Sequence, residues 1–293
     1  MKYTVKDLRV DFPDEEACLA WLVEWLHPNG ITCKKCGKVT KHYKDKNRRS
    51  YSCSQCGNHM HPTAGTIAHN SHVPLTDWFY AIYMMSTNKA GTSAKQIERE
   101  LGCSYRTAWR MMHQIRKLME APEGLLHGAI EVDETFVHAN TFKRSSARRR
   151  YGYDARRTGQ AIFGILQRGG IVKVWHVPHT NGSLLMEFFH ENVKYGSTVH
   201  TDGYKAYRDL PKFGYEHKTT EHGRRQWVDY DDRSNYTQNI ENVWSHFKRG
   251  IKGVYRHIGA KYLQLYAQEY AWRYSNRNKI SMFWSLMGRI DRP

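Results

Sequence analysis

AIEVDETF, residues Ala129–Phe136, is the stretch on which the reading of this chain turns. Ile130 and Val132 alternate with Glu131 and Asp133, and period-two alternation with β-branched residues predicts a half-buried strand. Glu131 and Asp133 then share the face opposite the apolar one. Two later stretches carry comparable acids: STVHTDGYKAY (Ser197–Tyr207), with Asp202 at a predicted strand end, and NIENVWSHFKRG (Asn239–Gly250), with Glu241 at a predicted helix start. Three carboxylates from distant parts of one chain suggest a site for divalent metal, because crowded carboxylates repel unless a cation relieves them.

Working outward, Ala161–Gln167 and Ile171–Val177 are apolar runs joined by Arg168-Gly169-Gly170, a hairpin signature. Ser183–Val193 reads as a helix, Ser197–Thr201 as a strand and Glu216–Thr220 as a further strand. The order strand, hairpin pair, helix, strand matches an α/β ribonuclease-H-like fold, a mixed sheet flanked by helices. In that topology the first and fourth strands adjoin, so Asp133 and Asp202, 69 residues apart, become neighbours. On the helix from Asn239, Ile240, Val243, Trp244, Phe247 and Ile251 form one apolar stripe. Glu241 and Lys248, seven apart, lie on the same edge of that stripe. A solvated polar flank would show the same pattern. Glu131, Glu134, Asp229, Asp231 and Asp232 compete for any one ligand place, the last three in a loop-like stretch.

Upstream, Asp14 is placed to cap a helix through Leu26. Cys33-x-x-Cys36 and Cys53-x-x-Cys56, separated by 16 residues and each pair followed by Gly, carry the spacing of two zinc knuckles. Four thiolates leave no open coordination position, so one structural Zn²⁺ is expected. The basic KHYKDKNRRSY between them suits either phosphate contact or protein docking. Ser93–Leu101 and Ser104–Met119, separated by Gly102-Cys103, read as a helix-turn-helix capped by Ser104. Arg106, Thr107, Arg110 and Gln114 form the polar face of its second helix, which fits a DNA major groove. Helical hairpins of this shape also serve as plain packing units. Ala121-Pro122-Glu123-Gly124 breaks the chain before the central strand.

The 293 residues hold 45 Lys plus Arg against 28 Asp plus Glu, a formal charge of +17. Met1–Asn29 is net acidic, leaving +20 on the remainder. Such a surface favours a polyanion, nucleic acid above all. His138–Gln160, with Arg148, Arg149 and Arg150 at its centre, has no period and reads as a basic loop that orders on phosphate, or one that is simply solvated. The absence of a disulfide framework and of an apolar run long enough for a bilayer points to a soluble protein of a reducing compartment.

Taken together, FPDEEACLAWL, CKKC…CSQC, PTAGTIAH, SYRTAWRMMHQIR, VDETFV, HTDGYKAY, NIENVWSHFKRGI and RYSNR resemble bacterial insertion-sequence DDE transposases of the zinc-ribbon type, the group akin to eukaryotic Merlin elements. The resemblance spans Phe12 to Arg277. It implies that Asp133, Asp202 and Glu241 are a catalytic triad holding two Mg²⁺ or Mn²⁺ ions, and that Lys248 is the basic residue accompanying the glutamate. It implies cleavage of transposon ends and joining of their 3′-OH to target DNA. Double-stranded DNA, as terminal inverted repeats and as target, is then the partner. Arg106, Thr107, Arg110, Gln114, Arg148, Arg149, Arg150, Lys248, Arg249 and Lys252 are the expected contacts. Paired ends imply a homodimer or larger assembly in the cytoplasm, on the nucleoid and not at a membrane. The expected organisation is a helical segment (1–30), a zinc ribbon (31–62), a helix-turn-helix region (63–124) and a catalytic domain with C-terminal helices (125–293). The chain departs from its relatives at His138-Ala139, where a Gly pair is frequent, and at Tyr236 and Gln238, where His and Asn are usual. A catalytically silent domesticated DNA-binding protein and a structure-selective nuclease on the same fold are the rival readings.

Overall fold

The computed structural model describes residues 3–46, 48–137, 159–220 and 235–291. By internal packing they divide into two units, one of 1–88, 94–118 and 279–293, the other of 89–93 and 119–278.

The first unit opens with α1 (Val5–Asp11), started by a capping box in which Thr4 and Asp7 exchange bonds. Helix α2 (Glu15–Leu26) begins at Asp14, whose carboxylate accepts from the Ala17 amide at 2.9 Å. A three-stranded antiparallel ribbon follows: β1 (His42–Lys44), β2 (Tyr51–Cys53) and β3 (His59–Met60). Then come α3 (Leu75–Thr87), α4 (Ala94–Leu101) and α5 (Tyr105–Lys117). Gly102 between α4 and α5 sits at φ +62°, a left-handed turn that favours glycine. The Ser104 hydroxyl accepts from the Thr107 amide, starting α5. A box of Phe12, Trp21, Phe79 and Phe283, ring edges against ring faces, binds α2 and α3 to the short helix Met282–Met287.

In the second unit the strands are β4 (Ala129–Val137), β5 (Gln160–Gln167), β6 (Val172–Val177), β7 (Thr198–Asp202) and β8 (Glu216–Thr220). They form one mixed sheet in the order β6-β5-β4-β7-β8. The β4-β5 and β5-β6 pairs are antiparallel; β4-β7 and β7-β8 are parallel. Helix α6 (Gly182–Asn192) makes the crossover from β6 to β7. Its apolar residues Leu185 and Phe189 pack with Ile130, Val132, Phe163, Ile165 and Val199 on one face of the sheet. Against the other face lie α7 (Gln238–Gly250) and α8 (Leu263–Ser275). There Ile240, Val243, Trp244 and Phe247 of α7 join Val137, Ile162, Leu166 and Val174. Those four α7 side chains are almost fully buried, at about 1.5–3 kcal/mol each for the large apolar ones. That burial, rather than helix propensity, holds α7 to the sheet. Past Gly250 the helix widens into a π turn, Ile251–Tyr255, which ends at Arg256 with φ +57°.

Candidate active site

The pleat of β4 sends Glu131, Asp133 and Thr135 toward α7, and Ile130 and Val132 toward α6. β7 runs parallel beside β4 with Thr201 paired to Val132, so Asp202, the last residue of β7, arrives next to Asp133. Glu241 comes from the first turn of α7. These three side chains line one open cleft of about 560 Å³ together with Glu134, Trp244, Lys248, Arg249 and Lys252. Carboxylates therefore form its floor and cations its rim.

Each carboxylate is oriented by a neighbour. The Trp244 indole N–H donates to Asp133 Oδ2 at 3.0 Å. This contact depends on Gly164, which pairs with Asp133 across β4 and β5 and lets the indole lie against bare backbone. The Tyr204 amide donates to Asp202 Oδ1 at 3.0 Å, and the Thr237 hydroxyl to Glu241 Oε1 at 3.3 Å. Burial, followed by the charges of Glu134, Asp202 and Glu241, pushes the Asp133 carboxyl well above its ordinary range. Glu134 lies on the opposite face of β4, where the buried Tyr207 hydroxyl donates to it. It opens into the same cleft because the pairing of β7 with β4 stops at Val132. Burial and the nearby Asp202 raise Glu134 to about 7. Burial lowers the Lys248 ammonium, opposed by the attraction of Asp133.

Glu131, two residues from Asp133, is spent elsewhere. Its side chain is fully buried, with Oε1 accepting from Arg168 Nε and Asn239 Nδ2, both at 2.8 Å, and Oε2 from the Ile240 amide at 3.0 Å. Asp229, Asp231 and Asp232, and likewise Arg148, Arg149 and Arg150, lie outside the described residues. On α5, Arg106 and Arg110 are exposed, whereas Thr107 and Gln114 are half-buried and the Thr107 hydroxyl is engaged with Ser104. Lys248 and Arg249 are exposed on the last turns of α7, and Lys252 on the π turn beyond it.

In the ribbon, one ligand atom from each of Cys33, Cys36, Cys53 and Cys56 lies within 4.8 Å of every other. Gly37 and Gly57, at φ +69° and +67°, turn the chain behind each pair. The Thr40 hydroxyl, then the amides of Gln55 and Cys56, draw the Cys53 thiol down to about 6. Four converging sulfurs, one already inclined to ionise, suit a tetrahedral structural zinc. Among the described residues this is the group that closes to within 4.8 Å. The oxygens of Asp133, Asp202 and Glu241 do not all come within that distance of one another.

Comparison with known proteins follows this division of the chain. Residues 125–275 match the family described as the ISXO2-like transposase domain, and residues 13–59 the transposase zinc-ribbon domain. Both descriptions are of transposases. The first match takes in more than half the chain, which thus belongs to the ISXO2-like transposase family. It is 25% identical over 267 residues to an uncharacterized protein in transposable element ISH50 of Halobacterium salinarum, covering 87% of this chain and 90% of that one. It is 28% identical over 114 residues to an uncharacterized transposase-like protein of Haemophilus influenzae, covering 38% of this chain and 89% of that one. The family and these relatives support a transposase role. No described helix is long and apolar enough to cross a membrane.

Proposed function

We propose that this protein is a DNA transposase that binds terminal inverted repeats, cleaves the transposon ends and joins the freed 3′-OH to target DNA. The observation that carries the reading is the cleft itself, with Asp133 and Asp202 on adjacent parallel strands, Glu241 on the helix packed across them and Lys248 at the rim. The sheet order, antiparallel for its first three strands in sequence and parallel for the last two, supports a ribonuclease-H-like fold.

Asp133, Asp202 and Glu241 would hold two Mg²⁺ or Mn²⁺ ions. Their mutual repulsion fits them for cations, and outer ligands of two ions about 3.5–4 Å apart need more separation than those of one. When bound, such ions supply Lewis-acid activation of the attacking oxygen and neutralise charge on the leaving one. The chain itself supplies the rest. Trp244 keeps Asp133 in place, and Thr237 steadies Glu241. Lys248, Arg249 and Lys252 bind the phosphates of the DNA end and hold the scissile phosphodiester over the carboxylates. Water displaces one strand's 3′ oxygen, and that 3′-OH then attacks a target phosphodiester in a second in-line displacement. The α4-α5 pair, read as a helix-turn-helix, presents Arg106 and Arg110 to the inverted repeat. The ribbon assists it, and two copies act on paired ends.

The test is Mg²⁺-dependent joining of a pre-cut transposon end to plasmid DNA. Asp202→Asn should abolish joining while end binding persists. Cutting without joining would identify a nuclease, and binding with neither would identify a silent DNA-binding protein.

A further inference from the structure

At the N-cap of helix α7 the Thr237 carbonyl accepts from the Glu241 amide at 3.2 Å, while its side chain makes no capping bond to the backbone. The bond comes from another element. Glu131 of β4 accepts from the Ile240 amide in the first turn and from the Asn239 side chain, and its charge is matched by Arg168 at the end of β5. Arg168 in turn donates to the Tyr236 carbonyl at 2.6 Å and stacks its guanidinium on the Tyr236 ring at 3.8 Å. One residue earlier, Asn235 donates to the Thr219 carbonyl at 2.9 Å and lies 3.1 Å from His200 Nδ1. The entry to α7 is thus tied to β4, β5, β7 and β8 within a few residues of Glu241.

We propose that Glu131 is a positioning residue, a carboxylate cap supplied by the catalytic strand that fixes where Glu241 stands relative to Asp133. This rests on the transposase reading of the cleft. An anion at a helix N-terminus satisfies otherwise orphan amides and complements the helix dipole. A carboxylate as buried as Glu131 is tolerated because Arg168 pairs with it.

The geometry explains why the cap lies on this strand. Two residues along a strand advance roughly 6.7 Å, and four residues along a helix advance about 6 Å. Glu131 to Asp133 on β4 therefore keeps step with Ile240 to Trp244 on α7, and each strand carboxylate meets its own donor. Glu241 lies between those two pins.

The experiment compares the full-length protein with Glu131→Gln and Asn239→Ala. Three quantities are read: the Mg²⁺ concentration giving half-maximal joining, Mn²⁺ affinity by calorimetry without DNA, and hydrogen exchange of the α7 amides. Glu131→Gln should slow joining about 10- to 100-fold, as loss of outer-shell support does at metal sites. It should also raise the half-saturating Mg²⁺, weaken Mn²⁺ binding and speed exchange at Ile240, while end binding in EDTA stays unchanged. Asn239→Ala keeps the ion pair and should move the same readouts less far, so it tests the idea if Glu131→Gln does not fold. Wild-type metal dependence together with wild-type exchange in a folded variant overturns the proposal. A slower rate with unaltered Mg²⁺ and Mn²⁺ affinity also overturns it, because Glu131 is then only structural. Wild-type protein that joins no DNA sinks the transposase reading alone, and Mn²⁺ affinity and exchange then decide the role of Glu131.

Discussion

Replacing Gly164 with Ala tests the packing on which the cleft depends. A Cβ at this position would lie 2.5 and 2.6 Å from Cζ2 and Cη2 of Trp244 and 3.2 Å from Ile240 Cδ1. The obstacle is a rigid indole buried to 4% exposure, not the far end of a flexible chain. Either α7 lifts from the sheet or the indole turns. Overpacking of this kind costs about 1–3 kcal/mol, which for a unit of this size lowers the melting temperature by roughly 2–12 °C. Turning the indole also removes its hydrogen bond to Asp133, so joining should fall further than the stability loss alone explains. A double-mutant cycle isolates the cause. With Trp244→Leu in the background, the added methyl loses its two closest neighbours and meets only the flexible end of Ile240, so Gly164→Ala should cost less, giving a coupling of about 1–2 kcal/mol. The assay is thermal unfolding of the four proteins in EDTA, followed by Mg²⁺-dependent joining. A Gly164→Ala protein that melts within a degree of wild type, or costs that add without coupling, would falsify this account of how Asp133 is held.

In metal-free protein Glu134 holds its proton up to about 7 when folded, against an ordinary 4.5. The stability it contributes is therefore intact below pH 4.5 and is lost as pH rises to 7, up to about 3 kcal/mol. Glu134→Gln should flatten that decline in thermal melts followed in EDTA. Mg²⁺ should raise the melting temperature more at pH 8 than at pH 5, because Asp133, whose carboxyl is also raised, must ionise to bind it. At a hundred times its Kd the ion is worth about 2.7 kcal/mol, and an equal effect on Asp133→Asn would refute the site. Cys53→Ser should lower zinc from one ion per chain to none by elemental analysis and abolish amide protection in β1–β3, since so short a ladder cannot stand alone. If Arg106, Arg110 and Lys248 touch phosphates, each change to Ala should reduce the salt slope of end binding by about one; unchanged slopes would place the DNA elsewhere.

Much of this arrangement is legible in the amino-acid sequence. β8 occupies the stretch anticipated for it, Glu216–Thr220, and the hairpin and crossover bring β7 against β4. The convergence of Asp133, Asp202 and Glu241 on one cleft follows from local periodicity combined with the handedness of chain connections. The ribbon was legible for a different reason, since Cys-x-x-Cys spacing states its geometry directly. Helix α1 carries little sequence signal, a single Thr4–Asp7 capping box with one buried residue, Leu8.

Division of labour among the acids of β4 is what a single sequence withholds. Alternation assigns Glu131 and Asp133 to one face, and by that rule they are equivalent. They differ because the Arg168 side chain, 37 residues on, reaches back to one, while Gly164 lies directly across from the other. Glu134 belongs by alternation to the far face, and only the early end of β7 admits it to the cleft. Periodicity reads the direction in which a side chain points, whereas the partner that neutralises it is set by strand register. Register is a pairwise property of two segments, and the residue that directly follows β5, Arg168, contributes the cation. A one-residue slip between β4 and β5 would remove Arg168 from Glu131 and Gly164 from Trp244 together, leaving a buried charge unpaired and an indole in collision. Both penalties guard the same register, so the contacts that shape the cleft also select the strand pairing that builds it.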